Sequence, residues 1–115
     1  MAVYEVYSWI VSKGKEEKNE KIMEEFAEFI KRNPDLFKEL KSYRYFKGRY
    51  GKPSGTNNRF CIIEFDSLDS IEKMWKRANE DERLIKIDKE WLNNIEINTF
   101  EIHMWEDMNR RSWIE

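Results

Sequence analysis

The stretch TFEIHMWED (residues 99–107) holds the single histidine of the chain, His103, two residues after Glu101 and two before Trp105. On a strand, residues two apart point to the same side, so these three share a face. Two further carboxylates, Glu5 in VYEVYSW and Glu64 in FCIIEF, lie in stretches of equally strand-like composition. Pairing the strand centres near Tyr7, Ile62 and Glu101 sets Glu64, Glu5 and His103 in one row. Neighbouring Cβ atoms would then be ~5 Å apart. Opposed carboxylates are unfavourable unless a proton or a cation sits between them. Such a row invites general acid–base chemistry, with Glu5 or Glu64 as base and His103 as proton partner. An internal ion-pair network in a wet cavity, completed by a cation such as Arg44, Lys47 or Arg49, uses the same residues without catalysis. Metal ligation is the weakest use, since one histidine among scattered glutamates has no compact ligand spacing. No metal and no cofactor are expected.

These residues need elements to position them. VYEVYSWIV (3–11) is β-branched and aromatic and predicts a strand. EKIMEEFAEFIKR sets Ile22, Phe26, Phe29 and Ile30 on one helical stripe, and PDLFKEL after Asn33 predicts a further helical turn. SYRYFKGRY (42–50) and RFCIIEF (59–65) predict strands on either side of the turn-rich GKPSGTNN. Asp66 and Ser67 cap a helix carrying Ile71, Met74, Trp75 and Ala78. ERLIKIDKEWLNNI follows with Leu84, Ile87, Trp91 and Ile95, and INTFEIHMWE (97–106) closes the order β-α-β-β-α-β. Right-handed crossovers and a central hairpin make this an α+β, ferredoxin-like fold, with an antiparallel sheet in the order 4-1-3-2 and its helices on one face.

Parity then divides the strands. Cys61, Ile63 and Phe65, Phe100, Ile102 and Met104, with Val6 and Ile10, form the expected helix-covered core. The uncovered face receives Glu5, Tyr7 and Trp9; Phe60, Ile62 and Glu64; Thr99, Glu101, His103 and Trp105. Tyr43, Tyr45, Lys47 and Arg49 join them from the second strand. Of these, Tyr7, Trp9, Tyr43, Tyr45, Arg49, Ile62, Glu101 and Trp105 are the expected ligand-binding residues around the Glu5, Glu64 and His103 chemistry. An aromatic face with a polar rim meets a partner or a ligand. The basic hairpin residues Lys47, Arg49, Lys52 and Arg59 are either a lure for an acidic substrate or an ordinary solvated loop. Cys61 has core parity and is not expected to act as a nucleophile.

Composition bounds the partners. The chain has 115 residues, 40% hydrophobic and 15% aromatic, which fits one domain over residues 1–115. Charged residues make up 38%, but their signs alternate and sum to −2. That balance gives no reason to expect nucleic acid. NRFCIIEF resembles the third-strand motif of RNA-recognition domains, yet Arg59 stands at the motif's glycine, and Glu5, Glu64 and Glu101 would repel phosphates. No apolar run approaches the ~20 residues of a membrane span. One cysteine rules out an internal disulfide, so a cytoplasmic protein is expected.

YEVYSWIVSKGK, with Tyr4-Glu5 followed by Lys13-Gly14-Lys15, resembles the opening strand of the dimeric α+β barrel proteins, especially the NIPSNAP-like branch. Gly55 and Asn57 with Ser67-Leu68 ten residues after Asn57 are similar to that branch's N…SL spacing. FDSLDSIEKMWKRANEDERL resembles the small antibiotic-biosynthesis-monooxygenase-like members. The resemblance implies a homodimer formed through the open sheet faces, two sheets enclosing a cavity. Residues 107–115, which include Trp113 and Ile114, are expected to pack on the partner. Two function classes follow: a cofactor-independent enzyme of oxygenase or isomerase type acting on a small organic ligand, or a non-catalytic binding or scaffold dimer.

Overall fold

A computed structural model describes residues 2–48 and 57–108. The elements are β1 (Val3–Ile10), α1 (Glu16–Arg32), β2 (Ser42–Lys47), β3 (Asn58–Phe65), α2 (Leu68–Ala78), α3 (Glu82–Leu92) and β4 (Glu101–Glu106). The sheet is antiparallel throughout, in the order β2-β3-β1-β4. This is the expected 4-1-3-2 order read from the other edge. Among the described residues no helix is long and apolar enough to cross a membrane.

Each helix lays an apolar stripe on the same side of the sheet. Met23 and Phe29 of α1, Ile71, Met74 and Ala78 of α2 and Leu84 of α3 form one core with Val3, Trp9, Val11, Cys61, Ile63 and Phe65. Of the expected cap residues Asp66 and Ser67, Ser67 is the N-cap of α2, and Asp81, not singled out from sequence, caps α3. Ser67 Oγ accepts from the Ser70 N–H at the start of α2, and the Asp81 carboxylate accepts from the Arg83 N–H at the start of α3. Two elements differ from expectation. Residues 34–39 form turns instead of a helical turn, although Phe37 still reaches the core. Ile97–Thr99 form a 3-10 turn before β4, where the Thr99 hydroxyl accepts from the Ile10 N–H.

The larger correction concerns β1 and β2. Glu5 lies opposite Ile63 and Met104, and Tyr7 opposite Cys61 and Ile102. Directly opposed residues share a face, so Glu5, Tyr7 and Trp9 point toward the helices, together with Tyr43 and Tyr45. The open face instead carries three rows: Ser42, Glu64, Tyr4 and Trp105; Arg44, Ile62, Val6 and His103; Phe46, Phe60, Ser8 and Glu101. The inversion has a physical cause. β1 is apolar at both parities, and what decides its facing is that Glu5 finds donors inside the core.

Candidate functional site

Between the helices and the sheet lies a cavity of about 320 Å³. β1 contributes Tyr7 and Trp9, β3 contributes Cys61 and Ile63, and α1 contributes Ile22, Met23 and Phe26. The far wall comes from Trp75 of α2, Ile87, Asp88 and Trp91 of α3, and Phe100. Asn79, Asp88 and Leu92 line it while remaining exposed, which places the mouth at the α2–α3 junction and along α3.

Aromatic rings hold the walls in place. Trp91 sits edge-on to both Trp9 and Phe100, with centroids 5.2 Å apart in each pair, and Tyr7 stacks on Phe100 at 6.0 Å. The Trp91 indole N–H is sealed from solvent without an acceptor among the described residues. Behind this wall Glu5, only 7% exposed, accepts two hydrogen bonds at Oε1. One comes from Trp75 Nε1 at 2.6 Å and the other from the Tyr7 hydroxyl at 2.8 Å. Two neutral donors make this carboxylate tolerable in the core. Desolvation, reinforced by Glu5, holds the Tyr7 phenol far above its ordinary pKa, so it remains a donor. Burial likewise pushes the Cys61 thiol up to about 12, which keeps it protonated and inert.

Asp88 is the charged group at the mouth. Its carboxylate reaches water, yet the apolar wall beside it raises its pKa through desolvation. No hydrogen bond or ion pair joins it to any described residue. It occupies a position of the α3 stripe formed with Leu84, Ile87 and Trp91, at the spacing i, i+3, i+4, i+7. An acidic residue inside an apolar stripe is the signal by which the sequence could have revealed it.

The residues singled out from sequence are dispersed. The row Glu64–Glu5–His103 does not form: Glu5 faces the helices, whereas Glu64 and His103 face away. Glu64 accepts from the Ser42 hydroxyl at 3.1 Å, and His103 Nε2 lies 3.5 Å from Glu101 Oε2. Ile62 and Trp105 stay on the open face; Tyr7 and Trp9 line the cavity. Tyr43 packs edge-on against Phe26, its hydroxyl buried beside the Cys61 thiol. Tyr45 and Trp9 belong to a buried network in which the Asn19 side chain accepts from Trp9 Nε1 and donates to the Tyr45 hydroxyl. Glu20 closes it, accepting from Tyr45 and from Arg59 Nε at 2.6 Å. Arg59, 2% exposed, is thus a core ion-pair member instead of a lure on the hairpin. Arg49, Lys52 and residues 109–115 lie outside the described residues. Among the described residues no group of three or more His, Cys, Asp or Glu side chains is placed to hold a metal ion.

No protein-family model matches the chain, and no curated protein sequence matches it. Solved structures do. A NIPSNAP family protein from Agrobacterium tumefaciens superposes with a TM-score of 0.75 at 18% identity, covering 96% of each chain. The fold is ferredoxin-like. A dimeric protein of unknown function and ferredoxin-like fold from Bacteroides fragilis matches with a TM-score of 0.63 at 17% identity, covering 92% of this chain and 96% of that one. A variant of SnoaB, a cofactor-independent oxygenase from Streptomyces nogalater, gives 0.66 at 13% identity, over 97% and 98%. The resemblance to NIPSNAP and small monooxygenase-like proteins therefore extends along nearly the whole chain at the level of fold.

Proposed function

We propose that this chain is a small-molecule-binding homodimer of cofactor-independent oxygenase or isomerase type, with the ligand seated in the helix–sheet cavity of each protomer. The observation that carries this reading is the aromatic cavity with a carboxylate at its mouth, Asp88, that has no partner among the described residues. Pockets for organic molecules combine apolar walls with a few placed polar groups. A carboxylate whose pKa is raised by its surroundings is suited to accept a proton from a substrate carbon or hydroxyl. Asp88 is that base in this reading, and Glu5, fixed by Tyr7 and Trp75, braces the inner wall. The carbanion or enolate so formed either takes a proton back at another atom or meets dioxygen. These are the isomerase and oxygenase outcomes. The SnoaB structure, described as a cofactor-independent oxygenase on a similar fold, supports this class by analogy.

His103 and Glu101 then serve the partner face, where His103 stands beside Val6 and in one row with Ile62 and Arg44. Uncovered Phe46 and Trp105 on the same face support a second copy as its cover.

The test is a screen of small aromatic compounds followed by tryptophan fluorescence, because Trp9, Trp75 and Trp91 line the cavity. Binders are expected to quench emission in the wild type. They should lose at least about tenfold in affinity in Ile87→Phe and in Ile22→Phe, each adding volume to a different wall. Binders that ignore both substitutions would locate the ligand elsewhere and overturn the reading. A complete absence of binders would leave the non-catalytic scaffold dimer.

A further inference from the structure

The charge balance of the cavity points to a ligand class. Six aromatic side chains, Tyr7, Trp9, Phe26, Trp75, Trp91 and Phe100, line it. Among the described residues no lysine, arginine or histidine does. Cys61 and Tyr7 stay neutral, and Asp88 is the one carboxylate among the described lining residues. A second carboxylate, Glu5, lies directly behind Tyr7 and Trp75. Ring faces carry the negative end of the aromatic quadrupole, so each face turned to the cavity adds to the negative field of the carboxylates. Asp88 has no protein cation to satisfy it among the described residues, although surface carboxylates of this chain such as Asp69 and Asp81 are paired with Lys73 and Arg83. An anionic substrate would be repelled at the mouth and find no counter-charge inside.

We propose that the cavity selects organic cations, a tertiary or quaternary ammonium group held among the aromatic rings with Asp88 as its counter-ion. The proposal rests on the cavity being the ligand site. Aromatic rings attract such groups because a bulky ammonium sheds its weak hydration easily and keeps its charge against the ring faces. Asp88 adds a direct Coulomb attraction where apolar walls weaken screening. The exposed Asn79 and Leu92 leave the mouth open enough for the cation to enter past Asp88.

Three probes of one shape separate charge from shape: phenyltrimethylammonium, its neutral isostere tert-butylbenzene, and benzenesulfonate. Each is titrated into the wild type and into Asp88→Asn, with tryptophan emission as readout. The ammonium is expected to bind about tenfold or more tighter than the neutral probe. Benzenesulfonate should not bind. Asp88→Asn should weaken the ammonium about tenfold and leave the neutral probe unchanged. Asp88 is exposed, so this variant is expected to fold. Equal binding of the neutral and cationic probes, or an ammonium affinity indifferent to Asp88→Asn, would overturn the cation proposal while leaving the cavity as ligand site. Binding of none of the three would overturn the cation proposal as well, and a screen that then finds cavity binders of other chemistry would show that the site itself survives.

Discussion

Glu5 and Asp88 are carboxylates that the fold treats in opposite ways. Glu5 is buried with two donors on one oxygen, and removing either donor would strip a core carboxylate of support. Among the described residues Asp88 has neither donor nor cation, and its pKa is raised by desolvation. A raised carboxylate pKa means that the folded state holds the proton more tightly than the unfolded chain does. Ionised Asp88 therefore lowers stability above its folded pKa, and that cost is relieved as pH falls through this value toward the unfolded one. Asp88→Asn is expected to melt at a higher temperature than the wild type near neutral pH. The gap should close as pH falls to about 4, where the unfolded carboxylate also protonates. Melting curves across that range check it; a variant less stable than wild type at neutral pH would mean that Asp88 has a partner.

The helices and strands were legible in the sequence to different degrees. Apolar stripes located α2 and α3, and the cap at Ser67 marked where α2 begins, because a 3.6-residue period and an N-cap are local signals; the Asp81 cap of α3 is visible only in the structure. Strand facing depends on what lies across the sheet. β3 alternates cleanly, so its sequence alone places Cys61, Ile63 and Phe65 in the core, where they are buried. β1 offers Val6 and Ile10 on one side and Tyr7 and Trp9 on the other, and the glutamate between them argued for water. Inside the core Glu5 meets the Tyr7 hydroxyl of its own strand and the indole N–H of Trp75, 70 residues away, and the second of these is invisible to local sequence. That donor is delivered by α2, whose first turn hangs on Ser67. Ser67→Ala should cost about 1 kcal/mol, the usual worth of an N-cap. Urea unfolding measures it. A loss near zero would show that the Asp66 side of the junction caps the helix equally well.

At the scale of the whole molecule, the described residues cover the sheet on one side only. β4 is exposed along its entire length, with Trp105 53% exposed on the open face and Ile102 and Met104 about half exposed on the other. An edge strand bearing large apolar side chains on both faces is a liability in a lone chain. The open face also has the make-up of a self-complementary contact: Phe46, Ile62 and Trp105 for burial, Arg44, Glu64 and Glu101 for opposite charges. Ultracentrifugation at micromolar concentration should then give twice the chain mass of 14.2 kDa, and the melting temperature should rise with protein concentration. Ile62→Lys sets a charge at the middle of the face without touching the helix-covered core. It should sediment as a monomer and melt at a temperature independent of concentration. Because the cavity lies on the opposite side of the sheet, such a monomer should keep its ligand affinity if the site is complete within one chain. Loss of binding together with dimerisation would mean that the second copy supplies part of the wall, and would tie the two roles of this sheet into one.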